Sequence, residues 1–177
     1  MGEPVRAPAD APYPSAAWFG AADANRDGRL TLAEFVADAD RFFDRLDTDR
    51  DGEIDPAEMT DYETRLAPEI RMYQPGRAAV ARRKGDRRDI VYGGALGAGR
   101  WAQLNLPQPV AAADLDYNRG VSRAEWRIVA ARRFALLGPV DGALTLAALK
   151  PTPAQAEAAA CRAAADKAAK PHGRKAP

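Results

Sequence analysis

The sequence predicts a mostly α protein: two loop-helix-loop units packed antiparallel, with short strands pairing the loops. Three observations carry this. Two loops of twelve residues, Asp23–Glu34 and Asp47–Glu58, are rich in acidic side chains around a central glycine and recur with a period of 24. Between them, Phe35, Val36, Ala39, Phe42, Phe43 and Leu46 are spaced by threes and fours, which places all six on one helical face. The order loop, apolar helix, loop then returns after residue 108.

Taken along the chain, residues 1–14 are rich in Pro and Ala and predict a disordered N-terminal segment. The first unit occupies 15–68. It opens on an apolar stretch with Trp18 and Phe19 and ends on a helix running to about Leu66, with Pro68 just beyond. Residues 69–108 form a linker with Pro75-Gly76, a basic run Arg82–Arg88 and glycines from Gly93 to Gly99; a helical piece is expected near 76–84. The second unit occupies 109–150, with Trp126, Val129, Ala130 and Phe134 on its helix. Residues 151–177 are an Ala-rich helix with Thr152 as cap and Pro153 in the first turn, followed by a frayed tail.

The loops carry the chemistry. Calcium takes about six to eight oxygen ligands, and a short loop supplies them from positions 1, 3, 5, 7, 9 and 12. Position 7 acts through its carbonyl, position 12 through both oxygens of a Glu, and position 6 is Gly because the turn is left-handed. The first loop offers Asp23, Asn25, Asp27, the Arg29 carbonyl, Thr31 and Glu34, with Gly28 at position 6. The second offers Asp47, Asp49, Asp51, the Glu53 carbonyl, Asp55 and Glu58, with Gly52 at position 6. A helix-capping box explains only positions 9 and 12 of each loop and leaves the other side-chain ligands unexplained. Leu30 and Ile54, at position 8, are the residues that form the pairing strands, and Phe19 and Phe43 lie four residues before their loops.

A third loop offers Asp114, Asp116, Asn118, the Gly120 carbonyl, Ser122 and Glu125, with Val121 at position 8 and Val110 four residues before it. Its position 6 is Arg119, with Gly120 one place late. A left-handed Arg costs about 1–2 kcal/mol, so this site is expected to bind more weakly than the others. The fourth loop keeps Asp141, Gly142, Leu144 and Thr145 but has Pro139 at position 3 and Ala148 in place of the Glu. It reads as a relic that still offers a strand.

On these residues the chain resembles the EF-hand superfamily over about 15–66 and 108–150. The resemblance implies a helix-loop-helix fold, paired loops and Ca2+, at the first two loops and more weakly at the third. The period of 24 is similar to that of bacterial EF-hand proteins of the lanmodulin type, which bind lanthanides. Asp55 adds an acidic oxygen suited to a trivalent ion, but the Pro those loops carry at position 2 is replaced by Ala24, Thr48 and Leu115. Lanthanide binding is therefore the alternative and calcium the expectation.

Spacing decides the pairing. Only residues 35–46 separate the first two loops, enough for one helix that holds them about 20 Å apart. They cannot pair with each other. Loop one is expected to pair with loop four, and loop two with loop three.

Charge divides the chain. Residues 1–70 hold 17 Asp+Glu against 7 Lys+Arg, and the remainder 8 against 19. The basic run Arg82–Arg88 lacks aromatic interleaving, contains Asp86 and is followed by Asp89, so a solvated linker, or a segment lying on the acidic half, is expected rather than a surface for nucleic acid or anionic lipid. No apolar run is long enough to span a membrane. With one Cys, Cys161, and one His, His172, neither a zinc site nor a Ser/His/Asp constellation is expected, and the chain is not expected to be an enzyme. The function read from the sequence is that of a calcium sensor or buffer; a protein-interaction module with purely structural calcium is the rival. The start Met1–Arg6 lacks the apolar stretch of a signal peptide. The Pro/Ala-rich start is similar to the mature end of an exported protein, so a periplasmic or secreted location is expected, with the cytoplasm as alternative.

Overall fold

The computed structural model describes residues 1–6, 14–71 and 95–169. The helix expected near 76–84, the basic run Arg82–Arg88 and His172 lie outside the described residues.

Helix α1 spans Pro14–Ala22 and leads into loop one. Strand β1 (Leu30–Thr31) closes that loop and α2 (Leu32–Leu46) follows directly. Loop two ends in β2 (Glu53–Ile54) and α3 (Pro56–Asp61). The helix does continue to Leu66, but its last five residues, Tyr62–Leu66, are wound as a π-helix, and the Ala67 N–H reaches back to the Tyr62 carbonyl at 2.8 Å. In the second half β3 (Val121–Ser122) leads into α4 (Arg123–Leu136), and β4 (Ala143–Leu144) follows. A 3-10 turn, Ala111–Ala113, enters loop three where the other loops have a helix. Helix α5 spans Pro153–Ala169. Thr152 and Gln155 cap it reciprocally, Thr152 N–H to Gln155 Oε1 at 2.8 Å and Gln155 N–H to Thr152 Oγ1 at 3.4 Å.

The strands pair across the two halves. Leu30 faces Leu144 and Thr31 faces Ala143, antiparallel. Glu53 faces Ser122 and Ile54 faces Val121, also antiparallel. Loop one thus meets loop four and loop two meets loop three, the arrangement the 24-residue spacing requires. Each of Leu30, Ile54, Val121 and Leu144 is fully buried.

The core lies between α2 and α4, which pack against each other. Five of the six residues expected on the α2 face are buried (Phe35, Ala39, Phe42, Phe43 and Leu46), while Val36 packs at the margin. Trp126 of α4 is fully buried between Phe42 and Phe43, with ring centroids 6.2 and 5.8 Å away. Burying each such side chain contributes about 1.5–3 kcal/mol. The Trp126 indole N–H donates to the Ala39 carbonyl at 2.7 Å, so the largest side chain of the core is also keyed to the facing helix.

Residues 1–6, read above as part of a disordered segment, form no helix or strand but are held to the core. Tyr62 Oη donates to the Gly2 carbonyl at 2.7 Å, the Val5 N–H to the Trp101 carbonyl at 3.1 Å, and Arg6 grips Glu69. Arg133 of α4 is buried and donates to the Met1 and Pro109 carbonyls, each at 2.6 Å. Burial pushes its guanidinium down to about 10. The described glycines of the linker are also packed. Gly97 has φ +52°, and a Cβ there would lie 2.4 Å from the Pro107 carbonyl oxygen, so this turn is fitted to its neighbour. Among the described residues, no helix is long and apolar enough to cross a membrane.

Replacing Trp126 with Phe keeps an aromatic core but removes the donor to Ala39. Urea unfolding of Trp126→Phe is expected to read a loss of about 1–3 kcal/mol with an unchanged m-value.

Candidate metal centre

All three complete loops share one pattern of internal hydrogen bonds. The position 1 carboxylate accepts the N–H of position 6: Gly28 to Asp23 at 2.8 Å, Gly52 to Asp47 at 3.1 Å and Arg119 to Asp114 at 3.0 Å. The side chain at position 3 accepts the N–H of position 5, from Asp27 to Asn25, Asp51 to Asp49 and Asn118 to Asp116. Position 5 accepts that of position 7, from Arg29 to Asp27, Glu53 to Asp51 and Gly120 to Asn118. These bonds turn the side-chain oxygens of positions 1, 3 and 5 inward and hold them there.

The Glu at position 12 closes each ring. Glu34 accepts from the Asn25 N–H and from the N–H and hydroxyl of Thr31. Glu58 accepts from Thr48 and from the Asp55 N–H, and Glu125 from Leu115, Asp116 and Ser122. Thr31, Asp55 and Ser122 are at the same time the N-caps of α2, α3 and α4, each in a full capping box. Capping therefore accounts for positions 9 and 12 in all three loops. It leaves positions 1, 3 and 5 unexplained.

Two groups of carboxylates converge further. Single ligand oxygens of Asp47, Asp49 and Glu58 all lie within 4.8 Å of one another, and so do those of Asp114, Asp116 and Glu125. Loop one, with the amide Asn25 at position 3, forms no such trio among the described residues. The decisive atom is in loop two. Asp47 is 2% exposed, and its Oδ1 is buried with no hydrogen-bond partner. Leaving a buried carboxylate oxygen unmatched costs several kcal/mol unless a cation meets it. A hard divalent ion, ligated by oxygens alone, fits this donor set. Asp47, Asp49, Asp51, Asp55, Glu58 and the Glu53 carbonyl would hold it.

The EF hand family model matches residues 16–37 and 39–61, the segments that carry loops one and two. Both matches support a place in the EF-hand superfamily. Comparison with curated proteins and with solved structures gives no match. An EF-hand match points to calcium as the ion.

The third loop adopts the same wiring despite its irregular sequence. Arg119 takes the left-handed conformation that Gly28 and Gly52 take elsewhere, with φ +79° against +77° and +91°. Gly120 serves a different purpose: a Cβ there would lie 1.5 Å from Glu53 Oε1, because the Glu53 side chain of loop two crosses it. Position 4 is left-handed in the three complete loops, at Arg26, Arg50 and Tyr117, with φ of 59°, 64° and 62°. Sequence reasoning missed these three residues because none is Gly or Asn. Loop four keeps its strand and a left-handed turn at Asp141 and Gly142. The Asp141 carbonyl accepts from Arg29 Nη2 at 3.1 Å.

Backbone strain at Arg119 is removable. Arg119→Gly is expected to stabilise the calcium-free chain by about 0.5–1 kcal/mol, the left-handed penalty less the entropy that Gly adds, read by thermal or urea unfolding in chelator.

The loops also predict an acid limit. Hydrogen bonds from the Thr31 N–H and hydroxyl lower the pKa of Glu34 below its ordinary 4.5. For Glu125, burial opposes the charge, but bonds from Ser122, Leu115 and Asp116 outweigh it and the net shift is also downward. The folded chain then binds fewer protons than the unfolded chain, so this stability is present above about pH 4.5 and is lost as pH falls through the depressed folded values. Urea midpoints measured in chelator from pH 6 to pH 3 should decline below pH 4.5, and Glu34→Gln should flatten that decline.

Proposed function

We propose that the protein binds calcium through loops one, two and three, acting as a calcium sensor or buffer, with loop two as the tightest site. The buried, partnerless Asp47 Oδ1 is the observation that carries this reading. It supports loop two as tightest because the same loop places acidic residues at positions 1, 3, 5, 9 and 12. The carboxylate trio Asp114, Asp116 and Glu125 supports loop three as a further site. Loop four, with Ala148 in place of the Glu, is proposed to supply the strand that loop one needs and no ion.

A sensor opens on binding and exposes an apolar groove, whereas a buffer barely moves. The chain has three Met, few for a Met-lined adaptable groove.

Calorimetric titration with calcium is expected to give the site number and to lose its tightest step in Glu58→Gln, by about tenfold or more in affinity. Retention of that step would refute loop two as the tightest site. A hydrophobic dye in the same titration separates the two roles: fluorescence rising with calcium marks a sensor, and an unchanged signal with a raised melting temperature marks a buffer or structural calcium.

A further inference from the structure

Loop three reaches into loop two through one residue. Arg123 is the tenth residue of loop three and the first of α4. Its Nη2 lies 2.7 Å from Asp44 Oδ1 and 3.6 Å from Asp47 Oδ2, the first ligand of loop two. The guanidinium stacks over the Phe43 ring at 4.2 Å, and the Arg123 N–H donates to the Gly52 carbonyl at 3.2 Å. Arg123 lines one cavity with Asp44, Asp47, Arg50, Asp51 and Gly52. Its charge is thus fixed by an aromatic face, a carboxylate and the β2–β3 pairing.

We propose that Arg123 sets the cation affinity of loop two, as a fixed positive charge that weakens binding there and penalises trivalent ions more than divalent ones. The inference rests on the reading of loop two as a calcium site.

Geometry decides the sign. A residue that oriented Asp47 would strengthen the site. Asp47 is already oriented by Gly52, whose N–H donates to Oδ2 at 3.1 Å, and by its own N–H, bonded to the Phe43 carbonyl at 2.9 Å. Arg123 stands at 3.6 Å from Oδ2, beyond good hydrogen-bond distance. Its contribution to Asp47 is therefore charge, not aim. Asp44 offsets that charge only in part, because its side chain is 64% exposed and such pairs are weakened by solvent. Coulomb energy is linear in the ion's charge, so a trivalent ion feels the guanidinium half as strongly again as a divalent one.

The full chain is titrated with calcium and with a trivalent lanthanide, as wild type, Arg123→Gln and Arg123→Lys. The step belonging to loop two is the one that Glu58→Gln removes. Arg123→Gln should tighten that step about tenfold for calcium and about thirtyfold for the lanthanide at low salt. Arg123→Lys, which keeps the charge, should stay within about twofold of wild type. In 1 M salt, where the Debye length is about 3 Å, the gain should shrink to about twofold. Arg123→Met, which keeps an apolar chain over Phe43, gives the same readout should the Gln variant fail to fold. An affinity that is unchanged or weaker in the neutral variants, or a change equal for both ions and indifferent to salt, overturns the proposal while loop two stands. A Glu58→Gln chain that keeps every step of the wild-type titration overturns the reading of loop two itself.

Discussion

A single helix of fifteen residues governs this molecule. α2 begins where loop one ends and finishes where loop two starts, so the two loops lie about 20 Å apart at its ends. Neither can satisfy the exposed edge of its two-residue strand with the other. Leu30 and Ile54 find their partners in the second half of the chain, at Leu144 and Val121. The same crossing brings α4 against α2, which lets Trp126 fill the space between Phe42 and Phe43 and bond to Ala39. Both candidate sites of the first unit therefore depend on the docking of the second.

The loops combine two tasks on the same atoms. The Glu at position 12 caps a helix and draws the two ends of its loop together. The carboxylate at position 1 spends one oxygen on the N–H of position 6, and in loop two its other oxygen is buried and left over. Capping and the proposed ion binding would thus be successive uses of one scaffold. The hydrogen bonds lower the cost of gathering acidic groups before any cation arrives, and the remaining oxygens are what a cation would gain.

The β2–β3 pair also exchanges charge. Loop two extends Glu53 across Gly120 of loop three, and loop three extends Arg123 toward Asp47 of loop two. An acid laid on the loop with fewer acidic ligands and a base laid on the loop with more would draw the two sites closer in strength. The β1–β4 pair differs in kind: loop four lacks the closing Glu but supplies Leu144 and the Asp141 carbonyl that accepts from Arg29.

The sequence by itself determined the spacing of oxygen-bearing side chains in the loops, the helical face of α2 and the pairing order. Side-chain oxygens at fixed spacing, apolar residues at threes and fours, and the length of one helix are local quantities that a linear chain displays in full. Tertiary structure alone decided the rest. Gly120 reads as a displaced turn glycine in the sequence, but in the fold Glu53 lies across it; residues 1–6 carry no local pattern, but in the fold Tyr62, Arg133 and Trp101 bond to them. The orphaned oxygen of Asp47 and the guanidinium beside it belong to residues far apart in the chain. Burial and proximity across such separations are set by packing, and no local pattern encodes them.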